Sequence, residues 1–354
     1  MLHLSHFLLL LTYLTPFANA YLIPTPSSRS HPFRSHRFIS SSLRSTEVPT
    51  DAASGIVSLP KDGEDMSTDW ELDVYSRPVL VDGKKLWEVL ITDSTGSLKY
   101  CTPLPSSSVN SKLVRQTIES LITHTTSLSL PPPRTIKFFR SQMFNMLNIA
   151  LSEIDVVSVP SRATYALKTW LNDREKNVYP KMPDYQPSLS AGALSNAGSG
   201  FLDISTPVKL PDALRGEKYA FVSLPLSEFL PGGSITEENI GLGRLCPVEE
   251  GGVGGDEFVS GVVVMSKRAK GLAAWMAGTE IAGIRCDLRK RNMIMEADIS
   301  TQYLVARLDE GQRKEGEAFE KQKEEMGGLH FLCVQEDEED EEPKGFWLLK
   351  DMGD

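Results

Sequence analysis

The hydrophobic pattern in the first half of the chain changes its period, and each change limits the folds that the chain can adopt. Apolar and polar residues alternate over residues 70–75, which is the pattern of a half-buried β-strand. Asp82-Gly83 is a dipeptide typical of tight hairpin turns, and residues 86–92 follow it as a second predicted strand. With a third strand over residues 98–101, the sequence predicts an antiparallel meander.

After the meander, apolar residues recur every three or four positions, which indicates amphipathic helices. The first predicted helix follows Asn110 or Ser111, either of which is a suitable N-cap. The elements predicted after it are a strand at 136–139, a helix at 143–151, a strand at 156–159 and a helix at 163–171. Three strands followed by alternating helices and strands predict an α/β or α+β domain with a mixed sheet. This order resembles the ribonuclease H-like arrangement.

The second half of the chain predicts another layered α/β domain. Residues 186–215 are rich in Ser, Gly, Ala and Pro and have no sustained period, so they are interpreted as a linker between domains at 67–185 and 216–354. The elements predicted beyond it are strands at 219–224, 259–265, 293–296, 329–334 and 346–349, and helices at 270–277 and 312–326. Gly327-Gly328 is predicted to end the second of these helices.

The amino terminus has the composition of a targeting leader. Residues 1–20 contain a short apolar run followed by Ala18-Asn19-Ala20, which predicts a signal peptide. Residues 21–66 begin with a stretch rich in Ser and Arg and poor in acids, which is typical of a transit peptide. The tandem resembles the bipartite leader of plastid proteins and predicts the chloroplast stroma, although a plain secreted protein remains an alternative. No later segment is long and apolar enough to predict stable membrane insertion.

The charge balance restricts the kind of nucleic-acid site that the chain can carry. Its 37 basic and 47 acidic residues give a formal net charge of −10, so attraction to RNA must come from a local basic patch. Single-stranded RNA is held by cations along its phosphates and by aromatic rings that stack on its bases. The candidate RNA contacts are Arg134, Lys137, Phe139, Arg140, Arg162, Arg268, Trp275, Arg285, Arg289, Lys290 and Arg291. The alternative is that the rings are core residues and the arginines are paired or solvated.

The sequence predicts no catalytic, metal or cofactor site. Only His124 and His330 lie beyond the leader, and the four cysteines are isolated, so neither a metal motif nor a nucleophile–base motif is recognisable. A metal-dependent nuclease remains an alternative because Asp73 and Glu119 could supply two carboxylates to a two-metal site. However, Arg140 stands near the position where such a site would need an acid, and a non-enzymatic protein is favoured.

Seven blocks, in order along residues 69–350, carry a family resemblance. They are WELDVYSRP (70–78), FFRSQM (138–143), PSRATYALKTWLNDR (160–174), VYPKMPDY (178–185), RAKGLAAWMAGTE (268–280), GLHFLCVQ (328–335) and GFWLL (345–349). Together they resemble the plastid and cyanobacterial family of RNA-binding translation activators typified by the algal factor for the psaB message. Ala163 and Lys350 depart from the pattern, in which arginine and glycine are more usual.

The resemblance implies binding of A/U-rich 5′ untranslated RNA and activation of translation of photosystem reaction-centre subunits in the plastid stroma. It names single-stranded messenger leaders as the partner, with other translation factors in a larger complex as further candidates. The alternative from a different class is a photosystem assembly factor that binds proteins rather than RNA.

Overall fold

The computed structural model describes residues 52–61, 64–189, 206–248, 257–340 and 342–352. The predicted signal peptide and most of the transit-like segment lie outside these residues. No helix in the described residues is long and apolar enough to cross a membrane. Below, the amino-terminal region means residues 52–189 and the carboxyl-terminal region means residues 206–352.

The amino-terminal region is built on one mixed sheet of six strands. These are β1 (Ile56–Ser58), β2 (Asp69–Val81), β3 (Lys84–Asp93), β4 (Lys99–Leu104), β5 (Thr135–Phe138) and β6 (Val157–Pro160). Their order across the sheet is β1-β4-β3-β2-β5-β6, with β2, β3 and β4 antiparallel and with β5 and β6 parallel to β2. The predicted meander is confirmed, while the ribonuclease H-like assignment stays a prediction.

Local sequence explains the turns and ends of these elements. Asp82 and Gly83 have positive φ angles of 50° and 73°, as a two-residue hairpin turn between twisted strands requires. Asn110 caps the following helix, because its side chain accepts a hydrogen bond from the Leu113 backbone N–H at 3.0 Å. Three α-helices follow in this region: α1 (Ser111–Ser127), α2 (Phe144–Leu151) and α3 (Tyr165–Asn177).

Helices cover both faces of this sheet. Leu72 and Val74 of β2 face a core that includes apolar residues of α1 and α2. On the opposite face, α3 contributes Leu167, Trp170 and Leu171 to a second, smaller core. The polar residues that alternate along β2 are therefore buried beneath α3 rather than exposed to water.

The carboxyl-terminal region contains two sheets. Its strands are β7 (Val208–Lys209), β8 (Lys218–Pro225), β9 (Arg244–Leu245), β10 (Phe258–Met265), β11 (Ile281–Asp287), β12 (Asn292–Ala297), β13 (Thr301–Arg307), β14 (Leu329–Gln335) and β15 (Gly345–Lys350). One sheet has the order β8-β10-β14-β15-β9 and the other has the order β11-β12-β13-β7. The prediction of mixed α/β architecture is therefore confirmed.

Two α-helices flank these sheets, α4 (Ala269–Ala277) and α5 (Glu310–Glu325). Asp309 begins α5 with a capping box, in which it exchanges hydrogen bonds with Gln312. Gly327 and Gly328 follow α5 with positive φ angles of 61° and 88°, as the predicted glycine termination requires. Short 3-10 helices lie at Ala52–Gly55, Ser141–Met143, Tyr179–Lys181, Pro187–Leu189, Asp212–Leu214 and Leu226–Phe229.

Part of the predicted linker belongs to the carboxyl-terminal fold. β7 pairs in parallel with β13, and Leu210 is buried in the same core as α4. Residues 190–205 of this segment lie outside the described chain. The division into two domains with a linker at 186–215 stays a prediction.

His330 and three of the four cysteines, Cys246, Cys286 and Cys333, are buried. The His330 ring accepts a hydrogen bond from the Ile284 backbone N–H at 2.9 Å and lies 2.8 Å from the Gly328 carbonyl oxygen through its other nitrogen. Burial lowers the pKa of His330 to about 4, so this ring is neutral at pH 7. All four cysteines are free thiols, and burial raises the pKa of each to about 12. Both groups act as packed structural residues.

Candidate nucleic-acid interface

Three of the predicted RNA contacts lie side by side in the turn between β11 and β12. Arg289, Lys290 and Arg291 are all exposed, and we call these three residues the basic turn. Asp287 shapes this turn, because its carboxylate accepts hydrogen bonds from the backbone N–H groups of Arg289 and Lys290 at 3.1 and 2.9 Å. Arg291 has the positive φ of 55° that directs the chain into β12.

The ion pairs of the basic turn leave it accessible to a ligand. Lys290 lies 3.7 Å from Asp287, and Arg291 lies 3.3 Å from Glu310 on α5. Among the described residues, the Arg289 side chain has no ion pair. Exposed ion pairs are weak and easily exchanged, so the basic turn can present three cations to phosphates.

Arg285 does not belong to this surface, although it is only four positions from Arg289. Its side chain donates a hydrogen bond to Glu296 on β12 at 2.8 Å and another to Gln302 on β13 at 3.3 Å. Glu296 also accepts a hydrogen bond from Arg162 of the amino-terminal region at 2.5 Å. Arg285 and Arg162 are therefore linked through one carboxylate, in a cluster separate from the basic turn.

Arg134 and Lys137 lie together in the amino-terminal region, on and just before β5. They lie 4.0 and 3.9 Å from Asp69, so both ion pairs are loose. The Arg134 side chain is 78% exposed, whereas the Lys137 side chain is 26% exposed. Arg134 is the accessible member of this pair.

Phe139 and Arg140 lie largely in the interior, as the alternative of core rings and paired arginines expects. Phe139 is 5% exposed and packs in the core beneath α3, so its ring face is not available to a base. The Arg140 guanidinium group lies 4.7 Å from the Phe139 ring centre and donates hydrogen bonds to Asp73 at 2.6 and 3.2 Å. Both residues pack on the face of the sheet that α3 covers.

Asp73 and Glu88 are the centre of a buried ionic network on that face. Asp73 contacts Arg77 at 2.9 Å in addition to Arg140. Glu88 accepts hydrogen bonds from Arg77 at 3.2 Å, from Arg174 at 2.8 Å and from the Tyr179 hydroxyl at 2.7 Å. We call these six residues the buried network: Asp73, Arg77, Glu88, Arg140, Arg174 and Tyr179.

The buried network bears on the nuclease alternative. Burial disfavours the charged form of Asp73, but Arg77 and Arg140 outweigh burial and hold the pKa of this carboxyl below its usual value. Both of its oxygens are taken by guanidinium groups, and Glu119 pairs with Arg115 on the exposed side of α1. Within the described residues, no group of three or more His, Cys, Asp or Glu side chains could hold a metal ion.

Trp275 and Arg268 lie on and just before α4. Trp275 is partly buried and packs edge to face against Tyr303 of β13, with ring centres 5.2 Å apart. Arg268 is exposed and donates a hydrogen bond to the Asp212 carbonyl oxygen at 3.0 Å. Unlike Phe139, the Trp275 ring retains some exposed surface on which a base can stack.

The structure also brings the predicted contact Arg162 together with three cations that the sequence did not single out. Arg162, Lys168, Arg244 and Lys350 line one cleft with Tyr165, and we call it the junction cleft. Arg244 is in β9 and Lys350 ends β15, so both belong to the carboxyl-terminal region. A sequence signal existed for Lys168, which is three positions from the core residue Leu171 and hence on the buried face of α3. Arg244 and Lys350 join it only through tertiary packing.

The junction cleft is held in shape by Glu280, which precedes β11. Its carboxylate accepts hydrogen bonds from the Ser161 hydroxyl at 2.8 Å and from the backbone N–H groups of Arg162 and Ala163, both at 3.1 Å. The same carboxylate lies 3.6 Å from Arg244. A single carboxylate of the carboxyl-terminal region thus fixes the chain that enters α3.

Comparison with known proteins gives matches in both regions. Residues 69–174 match the family described as RNA-binding protein Tab2/Atab2 N terminal, and residues 198–350 match RNA-binding protein Tab2/Atab2, C-terminal domain. Two relatives are each named Protein TAB2 homolog, chloroplastic. The one from Arabidopsis thaliana is 35% identical over 361 residues, covering 93% of this chain and 94% of the relative. The one from Zea mays is 37% identical over 289 residues, covering 80% of this chain and 72% of the relative.

Solved structures give only weak likenesses. The catalytic core domain of HTLV-2 integrase in complex with magnesium, in its dimeric form, is 16% identical with a TM-score of 0.24, covering 38% of this chain and 86% of that one. A simian T-cell lymphotropic virus intasome in complex with the PP2A regulatory subunit B56 gamma is 12% identical with a TM-score of 0.25. The match covers 48% of this chain and 66% of that one. These scores carry no argument about fold or function.

The relatives and the family models agree on location and family. Both relatives are named as chloroplastic proteins, and the predicted plastid location is thereby confirmed. The two matched ranges follow each other in the expected order. They include six of the seven blocks that carried the resemblance, and the block at residues 178–185 lies between them. This chain therefore belongs to the Tab2/Atab2 family of RNA-binding proteins.

Proposed function

We propose that this protein binds A/U-rich 5′ untranslated RNA in the plastid stroma and activates translation of photosystem reaction-centre messages without catalysing a reaction. The observation that carries the proposal is the pair of family matches, which together extend over most of residues 69–350. Because the family models match both the amino-terminal and the carboxyl-terminal region, we propose that both regions take part in this function.

The charges agree with an RNA-binding role in a specific way. The chain is acidic overall, with a net charge of −10, yet the basic turn groups three exposed cations and Arg134 and Arg268 add two more. Phosphates supply most of the affinity in non-specific RNA binding, and aromatic stacking adds to it. We propose that RNA contacts the basic turn, Arg134, Lys137 and Arg268, with Trp275 as the stacking ring.

The geometry at Asp73 supports a non-enzymatic role. A two-metal nuclease needs carboxylates that are free to bind cations, whereas Asp73 is buried between two guanidinium groups. Displacing them would leave buried charges unpaired, which is strongly unfavourable. No specific observation favours the assembly-factor alternative.

Binding measurements with the full chain test this proposal. The chain should bind single-stranded A/U-rich RNA more tightly than a G/C-rich strand of equal length, and the RNA should stay intact when Mg²⁺ is added. Cross-linking of the tagged protein in its own cells should enrich the 5′ ends of reaction-centre messages. Failure to bind any RNA, together with co-purification of photosystem subunits, would support the assembly-factor alternative, and Mg²⁺-dependent cleavage would support the nuclease.

A further inference from the structure

The two regions meet at a short segment, residues 161–164, that leads from β6 into α3. Its first residue follows β6 directly, and the Ser161 backbone N–H donates to the Phe138 carbonyl oxygen on β5 at 2.9 Å. Ser161 is 4% exposed and Thr164 is 0% exposed. The segment is therefore fixed to the amino-terminal sheet at one end and to α3 at the other.

Glu280 of the carboxyl-terminal region binds this segment through three hydrogen bonds. Its Oε1 atom accepts from the Ser161 hydroxyl and from the backbone N–H groups of Arg162 and Ala163. Hydrogen bonds to a carboxylate are stronger than those between neutral groups, and the Glu280 side chain is only 16% exposed, so water competes little for the donors. Unlike an exposed ion pair between long side chains, this contact fixes a direction.

Glu280 also lies next to both sheets of its own region. It directly precedes β11, whose first residue Ile281 is buried in the core beneath α4. Arg244 of β9 lies 3.6 Å from the same carboxylate and donates a hydrogen bond to the Ile281 carbonyl oxygen at 2.7 Å. Because β6, β9 and β11 belong to three different sheets, one carboxylate lies where all three approach each other.

The start of α3 depends on carboxylates from outside the helix. Its N-cap residue, Thr164, makes no side-chain hydrogen bond to the first turn. Instead, Glu71 of β2 accepts a hydrogen bond from the Leu167 backbone N–H at 2.7 Å, and Glu280 binds the residues just before the helix. Negative charge is favourable at a helix N-terminus. The start of α3 is thus held by one carboxylate from each region.

The contacts at this segment are polar, whereas the apolar cores on either side belong to one region each. The core beneath α3 is built from amino-terminal residues and the core beneath α4 from carboxyl-terminal residues. A second polar contact joins the regions nearby, since Glu296 of β12 accepts a hydrogen bond from the Arg162 side chain at 2.5 Å. Domains of one chain move relative to each other unless a large apolar interface joins them, so specific hydrogen bonds matter for their orientation.

We propose that Glu280 is a positioning residue for RNA binding, which fixes the orientation of the two regions so that one RNA strand contacts both. This inference rests on the proposed function, in which Arg134 of one region and the basic turn of the other contact RNA. A strand that engages two sites gains affinity over either site alone, and the gain is lost when the geometry does not fit. Glu280 itself touches no RNA and acts through the segment before α3.

Three variants of the full chain test this role. Glu280→Ala removes the acceptor of all three hydrogen bonds. Glu280→Gln keeps an oxygen that can accept them and should behave as the wild type does. Glu228→Ala is the matched control, because Glu228 accepts hydrogen bonds from the hydroxyl and the backbone N–H of Ser234, within the carboxyl-terminal region alone.

Distances between two labels report the orientation directly. Lys84→Cys on the turn after β2 and Lys321→Cys on α5 place one exposed label in each region. The four native thiols have pKa values raised by burial and react slowly with a maleimide at pH 7. Glu280→Ala should widen the distribution of label distances measured by pulsed electron paramagnetic resonance. Glu280→Gln and Glu228→Ala should leave it unchanged.

RNA strands of two lengths separate positioning from folding. A single-stranded A/U-rich strand of about 5 nucleotides should occupy one region, and a strand of about 20 should reach both. Glu280→Ala should weaken binding of the long strand by about tenfold and leave binding of the short strand unchanged. Glu280→Gln and Glu228→Ala should bind both strands as the wild type does.

Three results would overturn the positioning role and leave the proposed function intact. The first is an unchanged distribution of label distances in Glu280→Ala. The second is a widened distribution with wild-type affinity for the long strand, which would show that RNA does not need both regions in one orientation. The third is an equal loss of affinity for both strands with a lowered melting temperature, since Glu280 would then maintain the fold. If the wild type binds neither strand, the proposed function falls and the positioning role falls with it.

Discussion

The amino-terminal region buries several arginines in one network, whereas the carboxyl-terminal region exposes several of them at a turn. Arg77 and Arg174 are 3% and 9% exposed and contact the buried Glu88. Arg291 and Arg313 contact Glu310, whose side chain is 58% exposed. Glu88 and Glu310 thus each bind two guanidinium groups, but only Glu88 does so in a buried environment. The same residue types therefore specify a core in one region and a surface in the other.

The largest effect is expected from breaking the buried pair. Glu88→Gln should leave Arg174 buried without its counter-charge and Arg77 with Asp73 alone, and should lower the free energy of unfolding by about 3–5 kcal/mol. Urea denaturation measures this change. Glu310→Gln is the matched control, since it also removes a carboxylate shared by two arginines, and water can replace it there. Equal destabilisation by the two variants would contradict the comparison.

The next effect separates the two aromatic candidates. Phe139→Ala should lower the free energy of unfolding by about 3–5 kcal/mol because the ring fills a core, while the folded fraction should bind RNA normally. Trp275→Ala should destabilise the protein less, because part of the ring is exposed. If Trp275 stacks on a base, the same substitution should cost about 1–3 kcal/mol of binding. Thermal melting and RNA titration of both variants give the two readouts.

Local signals in the sequence were enough for the elements with a regular pattern or a distinctive cap. The alternation over residues 70–75, the Asp82-Gly83 turn and the Asn110 cap all lie where the sequence placed them. By contrast, β11 and β13 were not predicted. Gly283 and Arg285 interrupt the apolar pattern of β11, and β13 is partly buried along nearly its whole length, so neither shows a clean period.

The site was harder to predict because it depends on what covers each face. Alternation along β2 marks Glu71 and Asp73 as residues of the polar face, and such a face is commonly exposed to solvent in an antiparallel meander. Here α3 covers it, and Arg140, which is 67 positions away in sequence, neutralises Asp73. A single sequence shows that a cation is present, but not which carboxylate it will meet.

Glu71 provides a pH test of the same covered face. Its carboxylate accepts a hydrogen bond from the Leu167 backbone N–H at 2.7 Å, and burial raises its pKa to about 7 in spite of that bond. Because the unfolded chain ionises near pH 4.5, the folded protein holds the extra proton between about pH 4.5 and 7. Stability should therefore fall as pH rises through this window, by up to about 3 kcal/mol from this group.

Glu71→Gln should flatten that part of the pH profile, since the amide cannot ionise and its oxygen can still accept the Leu167 hydrogen bond. Urea unfolding at pH 5, 6, 7 and 8, compared with the wild type, measures the difference. A variant that keeps the wild-type slope would show that another group carries the pH dependence.

The smallest effect on stability is expected where the arginines are exposed. Arg289→Gln, Lys290→Gln and Arg291→Gln together should change the free energy of unfolding by no more than about 0.5 kcal/mol, because each side chain is in water and its ion pairs are weak. The same triple variant should bind single-stranded RNA more weakly at every sequence, with a salt slope reduced by about 0.7 for each phosphate that the turn no longer neutralises. Lys84→Gln, Lys314→Gln and Lys321→Gln remove the same charge from other exposed positions and should leave the slope unchanged. A triple variant of the basic turn with wild-type affinity and slope would exclude this turn as an RNA contact and direct attention to Arg134 and Arg268.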